Sequence, residues 1–435
     1  MMRAIPCKNN YSSGQRASVS NEAVRNAVAT IRKIATRDVR FRLAEGAGTD
    51  AVHGDPEYSY AVVTLEDSNG LVAEGSTFTL GAGNDVVCNL AESLAGELKG
   101  REIEELMSDW GAFGNRLANH SQLRWLGPHK GAIHLALAAV TNACFDLWAR
   151  HRDLPLWQLL LDLSDDALLA LLDLSYVEDV LPAGRVLELL AGARPTRAER
   201  SDVLDTGYPA YDTSVGWINY SDEVIAENAR NALDRGFDAM KLKVGSDDLE
   251  RDLRRVRIIR DVVGPDATLM VDANQQWRWP LAETACREMA ELGAYWIEEP
   301  THPDDVMGHR RLADIAAPSM IAAGEHIPNQ VLFKNFLAAG AIQVCQVDAL
   351  RVGGISEFLT VSLLAKHFGV PVIPHVGDLG QLHRHLVLFN HIALNNERLF
   401  LECIPHLAEY FEDPAVIENG RYRTPSVPGA GLKLR

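Results

Sequence analysis

The sequence predicts an α/β protein, a barrel of alternating strands and helices preceded by a smaller α+β domain. Three observations lead there. One pattern occurs three times: Thr268-Leu-Met-Val-Asp272-Ala-Asn274, Tyr295-Trp-Ile-Glu298-Glu299-Pro300 and Ile321-Ala-Ala-Gly-Glu325-His326. Each is an apolar, β-compatible run that stops at an acid, as a buried parallel strand does when it delivers polar groups to a pocket at its carboxyl end. The acids stand 26 and 27 residues apart (272 to 298 to 325), enough for one strand, one helix and two short loops. Finally, 435 residues suit a barrel of roughly 200–250 residues with a second domain beside it.

Taken in order, residues 1–36 read as an N-terminal tail. They are polar, with Ser12, Ser13, Ser18 and Ser20 and six Lys/Arg against the single acid Glu22. That composition fits disorder and also a mitochondrial presequence. A first domain is expected over 37–160. Asp38–Leu43, Tyr60–Leu65 and Leu71–Gly75 read as strands, the last two joined through Asn69-Gly70 as a hairpin. Helical periodicity follows at 84–98, 101–118 and 131–151, where Ala139 and Ala143 on the apolar face permit close packing. The stretch from about 160 to 205 is leucine-rich, then charged, and has no clear period. A barrel is expected over 161–403, its strands ending near Ser214, Lys243, Asp272, Glu298, Glu325, Asp348, His375 and Glu402. Helices at 222–235 and 247–263 are closed by Gly236 and Gly264. Residues 404–435 are expected to return to the first domain.

Bulk properties narrow the partners. A net charge of −17 and a pI near 5.3 argue against nucleic acid and against an anionic membrane surface. No run approaches the roughly 18 apolar residues of a membrane span, and the 156–174 segment is broken by Asp162, Asp165, Asp166 and Asp173. The six cysteines are scattered without a CxxC pair, and read as reduced, buried thiols of a cytoplasmic protein, with a mitochondrial location as the alternative. A small molecule remains as the partner. If it is acidic, it needs local positive charge against the protein's own field.

In such a barrel all strand carboxyl ends face one pocket. Lys241 and Lys243 alternate along one strand and so share a face. Asp272, Glu298 and Glu325, with no cysteine or second histidine at ligand spacing, select a hard divalent cation, foremost Mg2+. Such a cation can bind a substrate carboxylate and stabilise the enediolate left when the α-proton is removed. Lys243 beside a second cation is expected to have a depressed pKa and to act as base. His375 near Asp348 is an oriented acid or base. Taken singly, a strand-end acid is more often a helix cap or surface ion pair, and Lys-x-Lys a solvated strand edge. It is their joint occurrence in strand order that points to a site.

With these residues the chain resembles the enolase superfamily, in its mandelate-racemase-like branch. The match is Lys241/Lys243, the Asp272/Glu298/Glu325 triad, the Asp348/His375 dyad and Glu402. The resemblance implies a modified TIM barrel, (β/α)7β, under an α+β capping domain, and the superfamily's habit of forming homo-oligomers. The runs Asp50–Ser59, 77–81, Gln122–Gly131 and Gly207–Tyr211 are similar to the L-fuconate and L-galactonate dehydratases. That implies a Mg-dependent hydro-lyase acting on a carboxylate sugar. The loops around 50–60, with Tyr58, and 77–81 would close over the sugar, and Trp125 would line the pocket unless it is an ordinary core aromatic. Asn274 would touch substrate or brace Asp272. Lys241 would add positive charge, Lys243 would remove the α-proton, Glu402 would hydrogen-bond the enediolate and His375 would protonate the leaving hydroxyl.

Three stretches depart from that dehydratase pattern, at Ser175-Tyr176, Val376–Gly380 and Ile404-Pro405, and are expected to flank the substrate. Two other readings use the same chain. A racemase or epimerase would employ Lys243 and His375 on opposite faces; a non-catalytic binding protein would only hold the acid.

Overall fold

A computed structural model describes residues 29–435. The presequence reading therefore lies mostly outside the described residues. Its last part is corrected, because the first strand already starts at Ile31, where the sequence reading had placed tail. Three strands, β1 (Ile31–Arg42), β2 (Glu57–Asp67) and β3 (Val72–Thr79), form an antiparallel sheet in that order. The β2–β3 turn follows from its residues. Asp67 Oδ1 accepts the N–H groups of Asn69 (2.8 Å) and Leu71 (2.9 Å), and Gly70 takes the left-handed φ of 82°.

The helix Ala132–His151 lies against β3. A Cβ on Gly75 would stand 2.0 Å from Ala143 N, so glycine on the strand and alanine on the helix let the two backbones touch. This helix also corrects one expectation. It is long and apolar enough to cross a membrane, with a mean hydropathy of 1.4, yet 89% of that stretch is buried inside the fold. A helix enclosed on every side needs no polar face.

The stretch without a clear period is a set of short helices, Leu156–Asp162, Asp165–Ala170 and Ala183–Ala193, and two further turns up to Thr206. Ser164 caps the second of these, and Asp165 and Asp166 sit in its positively polarised first turn.

Seven strands then run parallel. β4 (Tyr208–Gly216), β5 (Ala239–Lys243), β6 (Thr268–Asp272), β7 (Trp296–Glu298), β8 (Met320–Ala323) and β9 (Val344–Cys345) pair in sequence, and β10 (Leu401–Cys403) pairs with β4 on its other side. Between β9 and β10, Val372 bridges Cys345. Inward-facing residues come at every second position. Tyr211, Ala239, Met270, Trp296, Ala322, Val344 and Ile373 form one buried apolar cluster that fills the barrel. Two positions further toward the carboxyl ends, Ala239, Met270, Trp296 and Ile373 are followed by Lys241, Asp272, Glu298 and His375, so the apolar plug becomes the floor of the site.

The tail divides between two places. β11 (Ile417–Glu418) and β12 (Arg421–Tyr422) form a hairpin that extends the sheet at β4, so this part belongs with the barrel rather than with the first domain. The end does return to the first domain. Leu434 N–H donates to Glu74 (3.1 Å) and Ala430 N–H to Asp146 (2.6 Å).

Candidate active site

Strand register sets the first row of the site. Lys243 is paired with Asp272, and Asp272 with Glu298, so three inward side chains stand level on adjacent strands. Glu325 lies two residues beyond β8, after Gly324. A Cβ on Gly324 would be 2.1 Å from the Gln346 carbonyl carbon, and only glycine lets the chain turn inward so close to the next strand. Ligand oxygens of Asp272, Glu298 and Glu325 all lie within 4.8 Å of one another, and all three residues are buried.

Three buried carboxylates so close together repel. Burial and Asp272 push Glu298 up to about 8, although Lys241 opposes the shift. Lys241 Nζ stands 2.8 Å from Glu298, 2.9 Å from Glu402 and 3.7 Å from Asp272, over the Tyr211 ring at 5.6 Å. Burial lowers its pKa, but these carboxylates outweigh burial and hold it charged.

The expectation of a depressed Lys243 pKa is corrected. Burial and Lys241 do lower it, yet Asp272 at 2.5 Å, helped by Asp50 and Glu325, raises it further than they lower it. The sequence places Lys241 two residues away but hides the acid on the neighbouring strand. Asn274 braces this pair. It accepts from Lys243 Nζ (3.2 Å), its N–H donates to Asp272 (3.0 Å), and its amide reaches Glu325 (3.4 Å).

On the far side His375 Nδ1 donates to Asp348 Oδ2 at 2.6 Å, and its Nε2 is 3.0 Å from Glu325. Burial depresses the imidazole, but Glu325 and Asp348 raise it to about 9. Asp348 is itself fixed by the N–H groups of Leu350 (2.7 Å) and Gly377 (2.8 Å). Glu402 accepts from Val376 N–H (3.3 Å), and Lys241 with His375 holds it below the usual carboxylate range against the opposing effect of burial.

Lys243, Asn274, Glu325, His375, Glu402 and Tyr58 line one cavity of about 260 Å³. Asp272, Glu298 and Lys241 lie beneath it, and Asp348 lies behind His375. Trp125 is corrected: it is 96% exposed on the short turn Arg124–Leu126 and does not line the cavity. Ser175-Tyr176 does not flank it either, because Tyr176 is 58% exposed and the Ser175 carbonyl accepts from Gln330. Ile404 does line it, and Val376–Gly377 bind Glu402 and Asp348.

The 50–60 loop expected over the substrate does reach the cavity through Asp50 and His53, neither of which was singled out, and sequence reasoning missed Trp217, His326 and Arg351 in its wall. His326 stands 3.0 Å from Glu299 and 3.2 Å from Glu325, and Gln275 donates to Glu299 (2.6 Å). The Glu299 side chain is thus held by Gln275 and His326. The detectable signal was Asp-x-x-His at 50–53.

Comparison with known proteins shows the family. Residues 34–160 match the mandelate racemase / muconate lactonizing enzyme N-terminal domain, and residues 224–435 the enolase C-terminal domain-like family. Human mitochondrial enolase superfamily member 1 is 40% identical over 415 residues, covering 93% of this chain and 94% of that protein. The chain belongs to the enolase superfamily.

Its fold is the superfamily's TIM barrel with an N-terminal capping domain. The crystal structure of the human protein aligns with a TM-score of 0.91 at 40% identity, covering 94% of each chain. L-galactonate dehydratase of Hypocrea jecorina is 39% identical, over 93% of this chain and 92% of that protein. L-talarate dehydratase from Polaromonas sp. JS666, solved with Mg and L-glucarate, aligns with a TM-score of 0.71 at 26% identity, covering 94% of this chain and 95% of that one.

Proposed function

We propose that this enolase-superfamily chain is a Mg2+-dependent acid-sugar dehydratase, a hydro-lyase that converts an aldonate such as L-fuconate or L-galactonate to a 2-keto-3-deoxy acid. The observation that carries the reading is that Lys243 and His375 line one cavity, each beside a carboxylate of the Asp272/Glu298/Glu325 trio. The relatives named as L-galactonate and L-talarate dehydratases support the class of reaction.

The trio fits a hard divalent cation. Its donors are oxygens only, they converge, and their mutual repulsion is what a cation would relieve. Mg2+ bound there would supply positive charge to the substrate carboxylate as it gains a second negative charge.

The chain's own groups account for the proton movements. Lys243 Nζ takes the proton from C2, and for that it must first lose its own. Burial and Lys241 favour that loss, and a bound cation would offset the Asp272 charge that opposes it. Lys241 contributes fixed positive charge under the carboxyl end. Glu402, held ionised by Lys241 and His375, must take up a proton before it can donate a hydrogen bond to the reacting carboxyl, and Asn274 keeps Lys243 and Asp272 aligned. His375, with Nδ1 held by Asp348, gives its Nε2 proton to the 3-hydroxyl. The C3–O bond breaks, water leaves, and the C2–C3 enol takes a proton at C3 to become the keto acid. Tyr58 hydrogen-bonds the sugar from the cap.

A screen of aldonic acids with Mg2+, read as 2-keto acid formed, tests the reading. Lys243→Ala and His375→Asn are expected to lose turnover. Full activity in either variant contradicts the assignment.

A further inference from the structure

Of the three stretches that depart from the dehydratase pattern, Val376–Gly380 directly follows His375 and carries a buried acid, Asp378. Asp378 Oδ1 accepts Gly380 N–H (3.0 Å), and Oδ2 accepts the N–H groups of Leu382 and His383, the latter at 2.8 Å, where the helix His383–Leu394 begins. Capping of the helix accounts for those backbone bonds. It does not account for the His383 side chain, whose Nδ1 lies 2.6 Å from Asp378 Oδ1 with both residues wholly buried. With the Nδ1 proton facing Asp378, Nε2 is an acceptor, and the backbone N–H of Ala349 donates to it at 3.0 Å. The Phe358 ring packs edge-on to the imidazole at 5.7 Å and opposes its rotation.

Ala349 follows Asp348, the acid that holds His375. Its N–H is bound by His383, its carbonyl by the Asn142 amide (3.0 Å), and the next N–H, of Leu350, by Asp348 Oδ1 (2.7 Å). His383 Nε2 is also 3.4 Å from Asp348 Oδ1. The tie is reciprocal, because Asp348 Oδ2 accepts the N–H of Gly377 (2.8 Å), one residue before Asp378. The turns at 348–350 and 376–378 therefore fix each other through two buried carboxylates and one imidazole. His383 does not line the cavity, so it acts on a substrate only through Asp348 and His375.

We propose that His383, held by Asp378, is a positioning residue for the leaving-group acid: it fixes the Asp348 turn and thereby aims His375 Nε2 at the 3-hydroxyl. The inference rests on the dehydratase reading and separates its two proton transfers. Lys243 is tied to Asp272 and Asn274 and has no part in these contacts. Without the His383 ring the buried Ala349 N–H has no acceptor, and the turn must shift to find one. Expulsion of the hydroxyl is slowed, while removal of the α-proton is left intact.

The test uses the full chain with Mg2+ and an aldonate in D2O, and reads C2 deuterium exchange beside 2-keto acid. His383→Leu removes the ring nitrogens and keeps the site apolar. It is expected to lower kcat for keto acid by about 10- to 100-fold, the cost of misplacing an acid by up to about 1 Å, and to raise the ratio of exchange to keto acid by the same factor. Damage to the fold alone lowers both and leaves the ratio unchanged. His383→Gln, whose amide oxygen can accept from Ala349, is expected to stay within about threefold of wild type. Asp378→Asn loosens the ring; it is expected to raise the ratio by a smaller factor, and supplies the measurement if the leucine variant does not fold. A glutamine variant as impaired as the leucine one overturns the inference. A wild type that forms keto acid from no aldonate overturns the dehydratase reading and this inference with it. Keto acid from the wild type with an unchanged ratio in the variants overturns the role of His383 alone.

Discussion

Lys243 Nζ and Asp272 Oδ2 stand 2.5 Å apart on neighbouring strands paired in register. The candidate base and a candidate metal ligand thus neutralise each other, and a cation arriving at Asp272 competes with the ammonium. Lys243→Ala is therefore expected to bind Mg2+ as tightly as wild type or more tightly while losing turnover. Asp272→Asn is expected to lose both. Calorimetric titration of each variant with Mg2+ separates the two roles, and weaker Mg2+ binding in Lys243→Ala would contradict the competition.

Metal binding should also depend on pH. Burial and Asp272 push Glu298 up to about 8, so near neutrality much of it carries a proton that a cation must displace. The affinity for Mg2+ is expected to rise between pH 6 and 8, by up to about tenfold per pH unit for one displaced proton. Titrations in buffers of different ionisation enthalpy measure the proton released. A Kd independent of pH would contradict the assignment of Glu298.

Stability in acid rests partly on a different carboxylate. Glu357 is buried 2.6 Å from His134, joining the cap helix to the barrel, and accepts from Gln330 N–H at 2.7 Å. Burial pushes its pKa up, but His134 and the backbone donors outweigh burial and hold it below the usual range. The sign follows from that depression. The stabilisation is present above the unfolded value, about 4.3, and is lost as pH falls through the lower folded value. Glu357→Gln is expected to cost about 3 kcal/mol at pH 7 and to flatten the loss of stability toward pH 3. Urea midpoints of both proteins across that range check it.

At Gly75, where the Ala143 backbone nitrogen would lie 2.0 Å from any Cβ, alanine must force the strand and helix apart. Gly75→Ala is expected to destabilise by about 1–3 kcal/mol or more, read as a fall in thermal midpoint. An unchanged midpoint would mean that the cap can separate there without cost.

The floor of the candidate site was legible because the strands alternate with period two and several end at an ionisable residue. Asp272, Glu298 and Glu325 could be read from local sequence alone. The state of Lys243 could not, since its partner is across a strand pair. Nor could His326 and Arg351, which reach the cavity from loops brought together only by the fold, whereas Asp50 and His53 lie in the 50–60 loop that the resemblance placed over the sugar. The start of β1 was lost because Arg32 and Lys33 are exposed on an edge strand, and so resemble a polar tail. Helices of four to eleven residues between 156 and 206 contain too few turns to display a clear period. Trp125 misled because an aromatic ring suggests a pocket or a core, and this one sits on an exposed turn.

The central claim is that Lys243 removes the α-proton and His375 separately expels the hydroxyl. Incubating His375→Asn with a substrate aldonate and Mg2+ in D2O tests it most directly, with deuterium at C2 followed by NMR beside 2-keto acid formation. The account predicts C2 deuterium incorporation with keto-acid formation lowered by about 10²-fold or more, and neither product in Lys243→Ala. Keto acid formed at the wild-type rate by His375→Asn, or C2 exchange persisting in Lys243→Ala, would contradict it.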